Sequence, residues 1–249
     1  MKTRLLACVA GLMMVASLAP AQQVPKKEYD AFMAIQNATT VEARIAAVDN
    51  FVTSFADSKL KATALLMAAD AAQRKGDAVK AIAYAQSALD ADPKNFQAML
   101  LISGEIAKGT RENDLDKEEK LARSEKLAND AMAVIKDAKK PNPQVTDEQW
   151  TMHKKDSLSQ AHEDLGLAAL ARKKYTDAAM HFKESVDVAA NVDPATMVRL
   201  ANAYDQSGKP DEGIAVLDKV LAMPNLNPVI KQFATNEKAR AEQMKSAKK

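Results

Sequence analysis

The chain has 249 residues, with 35 Lys and Arg, 33 Asp and Glu, 47% hydrophobic and only 4% aromatic residues, 7 Gly and 9 Pro. Glycine and proline break helices, and strands favour aromatic and β-branched residues, so this composition favours a helical fold over a strand-rich one. The near balance of charge also argues against a nucleic-acid-binding class, which usually carries a basic excess on one face.

The first 21 residues are predicted to be a secretory signal peptide. Lys2 and Arg4 form a short positive segment, Leu5 to Leu18 is an uncharged and mostly apolar run, and Ala19-Pro20-Ala21 offers small residues for cleavage. An uncleaved membrane anchor is the alternative, but a membrane-spanning helix needs about 20 apolar residues and this run is shorter. We therefore expect export to the periplasm or beyond the cell, with residues 22–249 as the mature chain.

Removal of this segment would also change the chemistry that the chain can use. Cys8 is the only cysteine, so the mature chain would have neither a thiolate nor a disulfide. The segment carries two basic residues and no acid, so the mature chain would be neutral overall. No later segment is apolar for long enough to span a membrane.

From residue 28 onward the sequence repeats a pair of helices. Residues 62–95, 159–193 and 194–226 each show an apolar stripe on a first helix, a polar turn, and a second helix that opens with a small residue. Weaker copies occupy residues 28–60 and 96–138. The small residues of the five copies are Ala47, Ala81, Ser124, Ala178 and Gly213.

Two insertions and a final helix complete the pattern. Residues 109–120 are polar, and residues 139–146 contain Pro141 and Pro143, which forbid a helix there. Thr146 followed by acids then predicts a helix start. A last helix over residues 228–246 is predicted to cap the repeats with a polar face.

This pattern resembles the tetratricopeptide repeat (TPR) family, whose 34-residue motif runs W-x2-L-G-x2-Y, then A-x3-F, then P. The matching residues are Leu165-Gly166, then Leu200, Ala201 and Tyr204, then Ala178 with Phe182, and Pro93. The first aromatic position departs from the motif and holds Leu65, Met99, His162 and Met197 in successive units. The resemblance implies an all-α fold, a right-handed solenoid of about five helix pairs plus a C-terminal capping helix.

The sequence offers no convincing catalytic or metal-binding set. Its histidines are His153, His162 and His181, and His162 occupies an aromatic position of the repeat, so we interpret it as a packing residue. No phosphate-binding glycine motif or nucleophile elbow occurs. The acids alternate with lysines at helical spacing, which is typical of solvated faces. We therefore expect no enzyme activity, no metal and no cofactor.

Two interpretations of the single tryptophan, Trp150, are open. A ring packed across the junction between repeats is favoured over an exposed partner anchor, because large rings are usually mostly buried.

The resemblance further implies a concave groove lined by the first helix of each pair. The positions of the family's carboxylate clamp hold Leu66 and Asp70, then Leu100 and Gly104, so that clamp is not supported. We expect the groove to take a peptide or helix through mixed apolar and polar contacts. The predicted groove residues are Leu66, Asp70, Gln73, Arg74, Leu100, Lys108, Glu163, Asn202, Asp205 and Gln206.

Signal peptide and repeats together predict a non-catalytic protein-interaction scaffold of the bacterial cell envelope, with envelope proteins rather than nucleic acid as partners. One alternative is an accessory or substrate-capturing subunit of an envelope enzyme, which would need a convergent set of acid and base groups or of metal ligands. Another is a carbohydrate-binding envelope protein, for which Tyr29 and Phe32 would be the aromatic platform.

Overall fold

The computed structural model describes residues 24–247, which form eleven α-helices and no strand. The predicted signal peptide lies outside these residues. No helix among the described residues is both long and apolar enough to cross a bilayer. The helices are α1 (Lys26–Asn37), α2 (Val41–Ser54), α3 (Lys61–Arg74), α4 (Ala78–Ala91), α5 (Phe96–Gly109), α6 (Lys117–Asp137), α7 (Asp147–Ala171), α8 (Tyr175–Val188), α9 (Pro194–Gln206), α10 (Pro210–Leu221) and α11 (Pro228–Ala247).

Consecutive helices pack as five pairs, α1/α2 to α9/α10, and α11 packs on both α9 and α10. The first helices of neighbouring pairs also touch, at α1/α3, α3/α5 and α5/α7, and α11 continues this layer by packing on α9. The structure thus confirms an all-helical solenoid of five helix pairs with a C-terminal helix. We call the exposed surface of α3, α5, α7 and α9 the first-helix face.

Three of the pairs share one kind of turn between their two helices. In each turn the backbone N–H two residues beyond the C-cap donates to the carbonyl five residues earlier, as Asp77 does to Ala72 at 3.0 Å. The residue before that donor has a positive φ: 79° at Gly76, 59° at Lys173 and 84° at Gly208. Glycine adopts this conformation without strain, whereas Lys173 does not.

Small residues allow the two helices of each pair to approach closely. Ala81, Ser124, Ala178 and Gly213, four of the small residues that the repeat pattern singles out, are buried, and Ala47 is half-buried. In the third pair Ser124 has a hydroxyl to satisfy, and it donates to the Ser103 carbonyl at 2.9 Å. Alanine would leave no polar group to satisfy at this position.

The long insertions lengthen two helices instead of adding a new layer. Helix α7 begins at Asp147, twelve residues before the predicted unit 159–193. Thr146 and Gln149 form a reciprocal capping box at its start, which satisfies two backbone N–H groups. Trp150 then packs on Phe96 of α5 with ring centroids 6.4 Å apart, and its indole N–H donates to the Ala138 carbonyl at 3.2 Å. The favoured packing role of Trp150 is therefore confirmed.

Candidate functional site: the first-helix face

The predicted groove residues divide into three groups by exposure. Arg74, Lys108 and Gln206 are exposed, and Asp70, Gln73, Glu163 and Asn202 are half-buried. Leu66, Leu100 and Asp205 are 6%, 2% and 0% exposed. The expectation that these last three side chains line an open groove is wrong, because neighbouring helices cover them.

The half-buried polar residues join successive first helices. The Gln73 amide of α3 donates to Glu105 Oε1 of α5 at 2.8 Å. The Glu163 carboxylate of α7 accepts from two side chains of α9, Thr196 Oγ1 at 3.0 Å and Arg199 Nη1 at 2.7 Å.

The series ends at Asn202 of α9, whose amide donates to Glu237 Oε1 of α11 at 2.7 Å. We call these contacts, from Gln73 to Glu237, the polar ladder. Because a hydrogen bond to a charged group is stronger than a neutral one, the ladder stabilises the packing of α3 on α5, of α7 on α9 and of α9 on α11.

The exposed residues occur at equivalent places near the ends of first helices. Arg74 is the last residue of α3, Gln206 is the last of α9, and Lys108 lies one residue before the end of α5. Arg74 pairs with Asp70 one turn away, at 3.0 Å, and exposed pairs of this kind hold a side chain only weakly. Arg74 and Lys108 are available to a partner, whereas the Gln206 side-chain oxygen accepts from the Arg240 guanidinium of α11 at 3.0 Å.

A pocket of about 350 Å³ opens beside two of the predicted residues. Besides Asn202 and Gln206, the residues that line it include Tyr175 at the start of α8, and Thr110 and Glu112 from the insertion after α5. Sequence reasoning missed Tyr175 and the insertion, because spacing within one repeat does not show where a loop from another repeat lies.

Two acids depart from the expectation that the carboxylates lie on solvated faces. Asp164 is 1% exposed and Asp205 is 0% exposed. Each lies against a glycine of a neighbouring helix: an added Cβ would be 2.9 Å from Asp164 Oδ1 at Gly104, and 2.1 Å from Asp205 Oδ1 at Gly213. The absent side chains of Gly104 and Gly213 leave the space that these carboxyl groups fill.

Burial changes the acidity of both groups. It raises the pKa of Asp164 well above its usual range, because a charged carboxylate loses its water there. Burial and the nearby Glu237 carboxylate raise the pKa of Asp205 to about 7, against the opposing effect of Arg240. As carboxylates, both Asp205 oxygens lack a hydrogen-bond donor. A protonated Asp205 can instead donate to Glu237.

The histidines and the aromatic residues of α1 are two further candidates for a site. His162 stacks on His181 with centroids 6.1 Å apart, but both are only half-buried and Glu184 lies beside them. This is the one group of possible metal ligands found among residues 24–247. Tyr29 is 37% exposed, but Phe32 is 6% exposed and packs against Phe51, so the two do not form an open aromatic platform.

The helix pairs, their shared turns and the layer of first helices define a helical-repeat protein. Sequence models of the tetratricopeptide repeat match residues 44–96 and 169–236. The chain therefore carries tetratricopeptide repeats in both of its halves.

Several solved structures are similar to this chain. A crystal structure of a thermophilic TPR protein from Thermus thermophilus has a TM-score of 0.58 at 14% identity, covering 84% of this chain and 98% of that chain. An assembly chaperone of RpL4 has a TM-score of 0.46 at 12% identity, covering 91% of this chain and 100% of that chain. A tetratricopeptide repeat protein from Parabacteroides merdae has a TM-score of 0.37 at 16% identity, covering 88% and 90%.

The Thermus structure supports the fold and nothing beyond it. Comparison with curated proteins gave no match.

Proposed function

We propose that this chain is a non-catalytic interaction module of the bacterial cell envelope, which binds a peptide or helix of a partner protein on its first-helix face. Tetratricopeptide repeats generally mediate protein–protein interaction, and such repeats match both halves of the chain. The proposal of an envelope location depends on the signal-peptide pattern of residues 1–21.

The choice of surface depends on one observation: some polar residues of the first helices bind neighbouring helices, and others remain exposed. The polar ladder joins α3 to α5, α7 to α9 and α9 to α11, while Arg74 and Lys108 stay exposed near the ends of α3 and α5. A surface whose backbone is already fixed loses little entropy on binding, which favours affinity. The pocket beside Asn202 and Gln206 offers a recess for one partner side chain.

Charge reversal of exposed first-helix residues, with a matched control, tests the surface. The test variant is Arg74→Glu with Lys108→Glu. The control is Lys126→Glu with Lys219→Glu, on α6 and α10. Lys126 pairs with Asp130 one turn away, as Arg74 does with Asp70, and Lys219 lies in the last turn of its helix, as Lys108 does.

Cross-linking and affinity purification from the native envelope, followed by mass spectrometry, give the readout. We expect one or two stoichiometric proteins with the wild type and the control, and their loss with the test variant. Equal recovery of the partner proteins with the test variant and the control would refute the proposal that partners bind on the first-helix face. The location has its own check: the mass of the purified chain should correspond to a start at Gln22, and an uncleaved chain in the cytoplasm would contradict export.

A further inference from the structure

Three potential metal ligands converge between α7 and α8. His162 lies on α7, and His181 and Glu184 lie one turn apart on α8. The Glu184 Oε2 atom is 3.0 Å from His162 Nδ1 and 3.4 Å from His181 Nδ1. One ligand atom from each residue lies within 4.8 Å of the other two.

These distances suit a tetrahedral ion. A zinc ion with Zn–N and Zn–O bonds of about 2.0–2.1 Å places its ligand atoms about 3.3 Å apart. The two measured separations from Glu184 Oε2 lie on either side of that value. The third pair, one nitrogen from each histidine, lies within 4.8 Å, so the two rings would have to approach by at most about 1.5 Å to share one ion.

The hydrogen bonding of the two rings is incomplete without a ligand. The Nδ1 atoms of His162 and His181 are both buried, and neither makes a hydrogen bond of acceptable geometry, although Glu184 is near both. A buried polar atom without a partner is destabilising. A cation between the three groups would satisfy both nitrogens and the carboxylate at once.

The scaffold on both sides of the cluster is rigid. On one side, Ser185 of α8 donates to the Ser159 carbonyl of α7 at 2.8 Å. On the other, Gly166 of α7 lies directly against the Phe182 ring. The ligands thus lie between two points of close helix contact, which orients them before any ion binds.

We propose that His162, His181 and Glu184 form a zinc site with its fourth coordination position open to water or to a partner's side chain. Two imidazoles and one carboxylate, without sulfur, are a common ligand set for zinc. The Glu184 side chain is 47% exposed, so an ion can enter the cluster from solvent on the side of its carboxylate. The site lies beyond the interaction function proposed above and does not depend on it.

Zinc titration of the full chain, prepared without a histidine tag and stripped with a chelator, tests the site. The chain has only three histidines, so substitutions cover all of them. The test variants are His162→Gln, His181→Gln and Glu184→Gln. The matched control is His153→Gln on α7, whose ring instead packs against Phe96 and Trp150.

Calorimetry should show one zinc ion per chain for the wild type and for His153→Gln. Each test variant should bind at least about tenfold more weakly. Zinc should also raise the Tm of the wild type and the control but not of His162→Gln, because an ion that binds only the folded state stabilises it. Circular dichroism checks that each variant folds. If a histidine variant does not fold, Glu184→Gln, which is expected to keep the helix pair intact, still tests the site.

Absence of zinc binding and of a Tm shift in the wild type would overturn the proposal. Unchanged affinity in both histidine test variants would overturn it equally, and so would loss of binding in His153→Gln alone.

Discussion

Gly166 of α7 lies against the buried ring of Phe182 on α8, so close that a Cβ at residue 166 would be 2.7 Å from two ring carbons. The two residues are the glycine and the phenylalanine of the repeat motif. The presence of both residues in one helix pair thus has a steric meaning: the missing side chain of one makes room for the ring of the other.

Gly166→Ala is expected to destabilise the protein by about 1–3 kcal/mol, because the ring is fully buried and cannot move away freely. Urea denaturation measures the loss. Gly109→Ala is the control, since an added Cβ there meets nothing within 4 Å, and its effect should be slight. Adding Phe182→Leu to Gly166→Ala should recover part of the loss, and strict additivity of the two effects would contradict the contact.

Lys173 adopts a φ of 59° in a turn where two other pairs use glycine. Lys173→Gly should therefore be more stable than Lys173→Ala, with a difference in Tm of about 2–4 °C, because both lose the exposed pair with Glu112 and only glycine relieves the backbone. Differential scanning calorimetry measures it. Equal Tm values for the two variants would show that the turn is not strained at Lys173.

Asp205 makes stability depend on pH. Its pKa is about 7 in the folded chain and 3.8 as a free group, so between these values the folded state holds a proton that the unfolded state has released. The contribution of Asp205 to the free energy of unfolding should therefore fall as pH rises from about 4 to 7.

Asp205→Asn should remove much of that slope and be more stable than the wild type at pH 8, on the order of 2 kcal/mol. Urea denaturation at pH 5 and pH 8 gives the comparison. Asp164 should leave a residual slope of the same sign, because burial raises its pKa too. Asp137→Asn, at the exposed end of α6, is the control, and its difference in unfolding free energy between pH 5 and pH 8 should equal that of the wild type. Burial lowers the pKa of His153 and of His162, and both groups oppose the Asp205 slope as pH rises above about 5. The test is therefore the difference between the two proteins, and equal slopes for the wild type and Asp205→Asn would contradict the assignment.

Local patterns in the sequence predicted the helix pairs because the signals that form them are local. Ala81, Ala178 and Gly213 mark where two adjacent helices must touch, and that contact depends on one turn and two stripes. The polar turns and the capping residue Thr146 likewise act within a few residues of themselves.

The burial and orientation of single side chains were harder to predict. Leu66 and Leu100 occupy first helices as expected, but their burial depends on which neighbouring helix covers them. Asp205 gave no signal of burial, because its space comes from Gly213 on the next helix. The proximity of His162 and His181 was foreseeable from their shared pair, whereas the orientation of Glu184 toward both rings depends on side-chain geometry.

The central claim is that partners bind on the first-helix face. The most direct measurement is the affinity of a purified partner for three forms of the chain: the wild type, Arg74→Glu with Lys108→Glu, and Lys126→Glu with Lys219→Glu. We expect the first-helix variant to bind at least about tenfold more weakly, which is 1.4 kcal/mol, and the second-helix variant to match the wild type. Weaker binding of the second-helix variant with an unchanged first-helix variant would contradict the claim and place the partner on the opposite layer.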